Sequence, residues 1–312
     1  ADQIYFDIPA SSVAGRTITL LTDLPSLNEQ VNIDATTQIS GNVFGITFSK
    51  IQITTSAGLD HCFSIQADSC EMYGLFIQNF QDGILIQSPY AKIGAIQKGN
   101  VIFNCSGSCI KIQSTDHAAL QGNLIGLDTA QEIIPAATGN GIDVVNSYAV
   151  SIGGKTLLAY NIISGNNYGV HLENATFVDF NSNFIGTNTG GLEAKPNQYG
   201  IRGTGTNSSI EIGGDSLFEK NVISGNINAG IYGNFSTSLI QGNLIGTNIT
   251  GNAPLGNGTF GIYLTLGSFG NLIGGNDNSK PNTIAYNGQE AIFLQNGTCQ
   301  SNTFSQNSIF CN

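Results

Sequence analysis

The strongest constraint on this chain is a repeat of about sixty residues. Asn100, Asn161, Asn221 and Asn282 open the phrases "NVIFN", "NIISGN", "NVISGN" and "NTIAYN", at intervals of 61, 60 and 61. A second series, Asn123, Asn183 and Asn243, opens "NLIG", "NFIG" and "NLIG" at intervals of 60. Ile152, Ile212 and Ile273 recur at the same spacing within "SIGG", "EIGG" and "LIGG", with "KIG" at Ile93 before them. Each unit also holds two copies of a Gly-Ile-x-apolar phrase. It therefore divides into two half-repeats of about 30 residues, one of them with a longer loop.

Period alone does not separate a helical solenoid from a β solenoid; the local pattern does. Ile and Val alternate with polar residues over short runs, and Gly, Asn and Ser punctuate them. No stretch keeps a helical stripe for ten residues. Three short strands per half-repeat, joined at Gly/Asn turns, describe one rung of a single-stranded parallel β-helix, an all-β solenoid. Asparagine at one corner of every rung can stack as a ladder, so "ISGN" reads as building material. Residues 1–60 lack the phrase and read as an N-terminal cap with the first rungs, and residues 61–312 as regular rungs of one continuous domain.

"IYFDIPA", "LPSLNEQVNIDATTQ", "NVISGN", "GNLIGTNITGNAPLGNG" and "LIGG" resemble the right-handed parallel β-helix repeats of large secreted bacterial surface proteins, within the pectin-lyase-like superfamily. The resemblance covers nearly the whole chain. It implies a right-handed solenoid and a secreted or cell-surface location. It does not choose among lyases, hydrolases, epimerases, tailspikes and inert passenger domains, because fold does not fix activity.

Composition excludes several classes. Only 10% of residues are charged, and the net charge of −11 opposes binding to a nucleic-acid backbone. No apolar run reaches the ~20 residues of a membrane span. The only methionine is Met72 and no signal peptide is visible, so the chain reads as a mature or trimmed fragment. Six cysteines fall into the close pairs Cys62–Cys70, Cys105–Cys109 and Cys299–Cys311, for which local disulfides are expected, the last as a terminal staple. No cysteine pair has a histidine at zinc spacing, and no metal or cofactor is expected.

The enzymatic motifs of the resembling superfamily are missing. "NTD", a paired "DD", "GHG" and "RIK" do not occur, and Arg16 and Arg202 are the only arginines. Asp215 in "GGDS" and Asp277 in "GGNDNSK" read as turn formers. His61 and His117 read as surface histidines.

One constellation emerges from stacking the rungs. In each Gly-Ile-x-apolar phrase the flanking apolar residues point inward, so x points out. Successive rungs give Ser64, Leu85, Lys111, Asp143, His171, Arg202, Tyr232, Tyr263 and Phe293. Two residues further on come Gln113, Val145, Glu173, Thr204, Asn234, Thr265 and Gln295. Lys111, Arg202, Tyr232, Tyr263 and Phe293 are the candidate binding residues, with a polysaccharide or other glycan as partner. Asp143, Glu173 and His171 are the candidate catalytic residues, the two carboxylates being diagonal neighbours at roughly 8 Å, within the range of inverting glycosidases. Loops around Pro135, Pro196 and Pro254 form a second candidate surface. The combined reading is a non-catalytic adhesive or glycan-binding module, with a polysaccharide lyase or glycoside hydrolase, or a structural spacer, as alternatives.

Overall fold

A computed structural model describes residues 1–9, 14–38, 40–43, 46–49, 51–133, 139–156, 158–265, 267–275, 280–295 and 297–312. Three long sheets run the length of the chain, with almost no helix. The first has eleven strands, from Asp2–Tyr5 to Thr303–Ser305. The second also has eleven, from Thr17–Leu20 to Ser308–Phe310. The third has nine longer strands, from His61–Ile65 to Ile292–Leu294. Within them every pairing is parallel, each strand bonding its counterpart one rung on, as in Ile201↔Ile231 and Ile231↔Ile262. This is a parallel β-helix solenoid. Two short turns of 3-10 helix, Ala14–Arg16 and Ala35–Thr37, and an antiparallel hairpin, Ser40–Val43 with Ile46–Ser49, interrupt it near the start. No helix among the described residues is long and apolar enough to cross a membrane.

The core follows from the alternation. Ile84, Ile110, Ile142, Val170, Ile201, Ile231 and Ile262 pair in one continuous column, and each is fully buried. Burying an aliphatic side chain of this size stabilises by about 1.5–3 kcal/mol, so the column is a main source of cohesion.

The two asparagine series of the sequence are alternate rungs of one ladder. Asn100, Asn123, Asn161, Asn183, Asn221, Asn243 and Asn282 stand in one line, every one of them fully buried. Asn100 Oδ1 accepts from Leu75 N at 2.9 Å, and each later side-chain oxygen accepts from the preceding asparagine, as Asn123 Oδ1 does from Asn100 Nδ2 and N at 3.0 Å each. Each Nδ2 also donates to a backbone carbonyl, as Asn161 does to Leu120 at 2.8 Å. The last asparagine of "ISGN" starts a second ladder, in which Asn166 donates to Asn197, Asn197 to Asn226, Asn226 to Asn257 and Asn257 to Asn287.

Longer loops leave the rungs after Leu124–Ile125, Phe184–Ile185 and Leu244–Ile245. Small antiparallel bridges close them, including Thr187↔Ala194 and Thr247↔Pro254. They also touch one another across two rungs: Thr189 N donates to Gln131 Oε1 at 3.0 Å, and Ile249 N to Gly191 O at 3.0 Å. Pro135 and Asp277 lie outside the described residues.

At the "GGDS" corner Glu219, not Asp215, closes the turn. Its Oε2 accepts from the Asp215 and Ser216 N–H groups at 2.9 Å each, and Oε1 meets Lys155 Nζ at 2.8 Å. Burial alone would raise this carboxyl, but Lys155 and the Ser216 N–H hold it down at about 2. A lowered native pKa stabilises above the ordinary value of 4.5, and that contribution disappears as the pH falls toward 2. Glu219→Gln should therefore cost about 1–2 kcal/mol at neutral pH and flatten the loss of stability between those two values, as read by urea melts across the range.

The cysteine expectation needs correcting, because all six are free thiols and none of the three bridges is formed. In the first and last pairs, closeness in sequence does not bring the side chains together around a corner. Cys62 lies in the third sheet, whereas Cys70, just before the first-sheet strand Glu71–Tyr73, accepts from Val31 N at 3.5 Å. Cys299 is turned onto the Leu264 and Thr265 carbonyls, while Cys311 follows Ser308–Phe310 on the second sheet and is exposed. Cys105 and Cys109 do share a core position, and their mutual hydrogen bond with burial pushes the Cys105 thiol well up.

Candidate functional site

The outer face of the nine-stranded sheet carries the row that the phrase pattern selects. Ser64 pairs with Leu85, Leu85 with Lys111, Lys111 with Asp143, Asp143 with His171 and His171 with Arg202. The row continues from Arg202 to Tyr232, Tyr263 and Phe293. A buried neighbour on either side of each x fixes its outward direction, except at Phe293 in the last rung, whose neighbours Ile292 and Leu294 are half-buried.

The second row holds only in part. Gln113, Val145, Glu173 and Thr204 pair in sequence. Beyond them the strand Tyr199–Ser208 bulges, because the step from Gly203 to Asn207 faces the shorter step from Gly233 to Phe235. Gly205 takes the left-handed conformation at φ +66° there, and Asn174 Oδ1 accepts from Thr206 N at 3.0 Å to close the bulge. Asn234 thus falls out of line with Thr204. Bulges of this kind re-aim side chains and are frequent beside functional sites.

At the centre of the face a hydrogen-bonded relay is assembled from four strands. Asp143 Oδ1 accepts from His171 Nδ1 at 3.1 Å and from Asn140 Nδ2 at 2.9 Å, and Oδ2 accepts from Ser108 Oγ at 2.6 Å. Burial alone would raise the Asp143 carboxyl; the His171 and Ser108 hydrogen bonds, the His171 charge and the Asn140 amide together hold it below the usual carboxylate range. An ionised Asp143 can only accept, so His171 Nδ1 carries a proton. His171 Nε2 then meets Thr204 Oγ1 at 2.8 Å.

A second carboxylate stands on the other side of Ser108. Asp82 Oδ1 accepts from Ser108 N at 2.8 Å, with His61 Nδ1 at 3.5 Å and Lys111 Nζ at 4.0 Å from Oδ2. Burial pushes this carboxyl up, against the Lys111 charge and the Ser108 N–H. The environments thus drive Asp82 and Asp143 in opposite directions, the pattern that separates a proton donor from an ionised partner. Glu173, two residues beyond His171, is the diagonal neighbour of Asp143, and makes no side-chain hydrogen bond or ion pair among the described residues.

The aromatic half of the face differs from its expected form. Tyr232 and Tyr263 stack at 4.6 Å with 20° between their planes, and Phe293 continues the stack at 4.9 Å. The Arg202 guanidinium caps the other end, 4.1 Å from the Tyr232 centroid and 5.1 Å from that of Tyr199. The ring faces are therefore spent on one another, and the row turns edges and hydroxyls outward. Among the described residues no carboxylate pairs with Arg202, and its buried Nε has no partner.

Sequence reasoning brought together Lys111, Asp143, His171, Glu173 and Arg202 but missed Asp82, Ser108, Asn140, Tyr168 and Tyr199. Their signal lay in the same phrases. Asp82, Asn140, Tyr168 and Tyr199 each directly precede the Gly of "DGI", "NGI", "YGV" and "YGI", and Ser108 fills the same place before Cys109.

No family model matches the chain, and no curated protein matches it. Among solved structures it is similar to DFA-IIIase from Arthrobacter chlorophenolicus A6 without its lid. The identity is 13% and the TM-score 0.39, over 99% of this chain and 74% of that one. The same protein in complex with GF2 gives 13% identity and a TM-score of 0.39, over 97% and 70% of the two chains.

Proposed function

We propose that the chain is a secreted or cell-surface, right-handed β-helix of the pectin-lyase-like kind that binds glycan along the outer face of its nine-stranded sheet. In this reading a rung takes about 30 residues, residues 1–60 cap the solenoid, and residues 61–312 continue it as one domain. The observation that carries the proposal is the row itself. A chain with 10% charged residues gathers Lys111, Asp143, His171 and Arg202 in one line of cross-strand neighbours, with Glu173 and Asp82 beside them. Because the aromatic faces are occupied, recognition rests on hydrogen bonds. Glu173 and the Arg202 guanidinium offer the free acceptor and donor, which suit vicinal hydroxyls or a charged sugar substituent. A glycan array probed with the parent and with the Arg202→Gln, Glu173→Gln double variant tests this. The double variant should bind about tenfold more weakly or worse, with stability changed by less than about 1 kcal/mol, since neither group is fully buried. Equal binding by the two proteins would remove the glycan from this face.

A second reading is favoured by one observation, the opposite shifts of Asp82 and Asp143 across Ser108. In it the centre is a hydrolase or lyase site, with Asp143 and His171 moving the proton and Glu173 opposite. Asp143→Asn should then abolish polysaccharide degradation while leaving glycan binding within about threefold of the parent. Unaltered turnover in that variant rules this reading out.

A further inference from the structure

A different line of aromatic residues runs along the corner between the third sheet and the first. There each rung places one residue in the left-handed conformation, and in every rung but the last its N–H donates to a carbonyl of the next rung. The column comprises Ser69, Tyr90, His117, Ala149, Phe177, Ser209, Thr237, Gly270 and Ser301. Directly before these stand Asp116, Tyr148, Thr176, Ser208, Ser236 and Phe269, bridged in the same order. The fold accepts Ser, Ala, Thr or Gly at this corner, so nothing in the architecture asks for an aromatic ring.

Yet four consecutive rungs carry an aromatic ring here, at the left-handed position in Tyr90, His117 and Phe177 and directly before it, next to Ala149, in Tyr148. Tyr90 stacks on His117 at 4.9 Å, His117 meets Tyr148 edge-on at 5.3 Å, and Tyr148 meets Phe177 edge-on at 6.0 Å. Tyr90 is 52% exposed, Tyr148 44% and Phe177 58%. Tyr90 and Phe177 stand at positive φ, which costs a bulky residue conformational energy, and rings so exposed recover little of it by burial. Backbone strain kept without a packing return is a mark of function. The mostly edge-to-face arrangement also leaves ring area open, in contrast with the stack from Tyr232 to Phe293.

We propose that Tyr90, His117, Tyr148 and Phe177 form a second binding site, which takes a neutral saccharide chain laid along the solenoid axis. The length is right: Tyr90 and Phe177 stand three rungs apart, roughly 14 Å at ~4.8 Å per rung, the span of a short oligosaccharide. The area is right as well. Three half-exposed rings offer about 300–400 Å², well below the ~800 Å² per partner of a stable protein interface. The chemistry agrees, because sugar C–H faces pack on aromatic rings while Asp116 and Thr176, which directly precede His117 and Phe177, offer oxygens to hydroxyls. Neither column holds a lysine or arginine, so nothing in them pairs with an anionic chain.

The site lies on another face from the relay and stands or falls separately from it. The test is affinity gel electrophoresis of the intact protein in gels containing neutral β-glucan, xylan, mannan or starch. The ridge variant Tyr90→Ser, Tyr148→Thr, Phe177→Ser uses residues that other rungs carry at the same corner, so it should fold as the parent does by circular dichroism. At least one polysaccharide should retard the parent, and the ridge variant should bind it about tenfold more weakly or worse. The control variant Leu217→Ser, at a residue 81% exposed elsewhere on the solenoid, should be retarded as the parent is. If no neutral polysaccharide retards the parent, or if the ridge variant is retarded equally, the proposal is overturned. Retardation lost only in the Arg202→Gln, Glu173→Gln variant would overturn it too, while leaving the long-sheet reading in place.

Discussion

Replacing Asn221 by alanine should destabilise the protein by about 3–5 kcal/mol, far beyond an ordinary polar substitution. The Asn221 oxygen accepts from Asn183 N at 2.9 Å and from Asn183 Nδ2 at 3.0 Å, and its amide donates to Phe180 O at 2.9 Å. Removing the side chain leaves two donors and one carbonyl in a place that is 0% exposed. Each orphaned group costs about 1–3 kcal/mol, and no water reaches it without opening the rung. Asn221→Asp should be no better, since the oxygen replacing Nδ2 would face Phe180 O and Asn243 Oδ1 without a proton between them. Urea denaturation read by circular dichroism measures both variants. Unfolding midpoints within a few tenths molar of the parent would show that the ladder contributes little.

The second large effect is expected at Gly213, the first glycine of "IGG". It lies at φ +81°, and a Cβ there would come within 2.1 Å of Gln241 O and 2.5 Å of Asn243 Oδ1. Gly153 and Gly274 share this geometry at φ +85° and +90°. Gly213→Ala thus combines left-handed strain of about 1–2 kcal/mol with overpacking of about 1–3 kcal/mol. It also pushes on a ladder oxygen. A loss of about 3–4 kcal/mol is expected, with the rungs around Ile212 and Ile240 opening before the rest of the stack. Hydrogen exchange can locate that opening. Protection of Ile212 and Ile240 equal to the parent's would contradict it.

The sequence and the structure agree where chemistry and period coincide. The Gly-Ile-x-apolar phrase marks one row of cross-strand neighbours, because buried neighbours determine the direction of x in every rung but the last. The second row failed after Thr204 for a reason that the pattern cannot register. Two additional residues on one strand preserve the alternation of inward and outward side chains while displacing everything beyond them. The asparagine series looked like two lines because long loops leave alternate rungs at different corners. A self-comparison at sixty residues therefore matches every second rung. The cysteine pairs misled for a geometrical reason, since eight residues suffice to carry Cys70 around a corner from Cys62. Nor does alternation tell how an outward ring turns, so the stacking of Tyr232 on Tyr263 was not legible. Asp82 was hidden differently: it precedes the glycine of a phrase whose alternation specifies only the residues after that glycine.

The contacts between loops two rungs apart bear on how such a gene can change length. Gln131 reaches Thr189 and Gly191 reaches Ile249, so the loops form their own chain of contacts beside the solenoid. Duplicating one rung would set two looped corners, or two plain ones, against each other and break that chain. Duplicating both rungs copies every strand pairing, every ladder bond and every loop contact at once, with the new copy meeting old neighbours of its own kind. Growth and shrinkage by whole sixty-residue units is therefore the mutational path of least resistance, and variants of this chain should differ in length by that quantum.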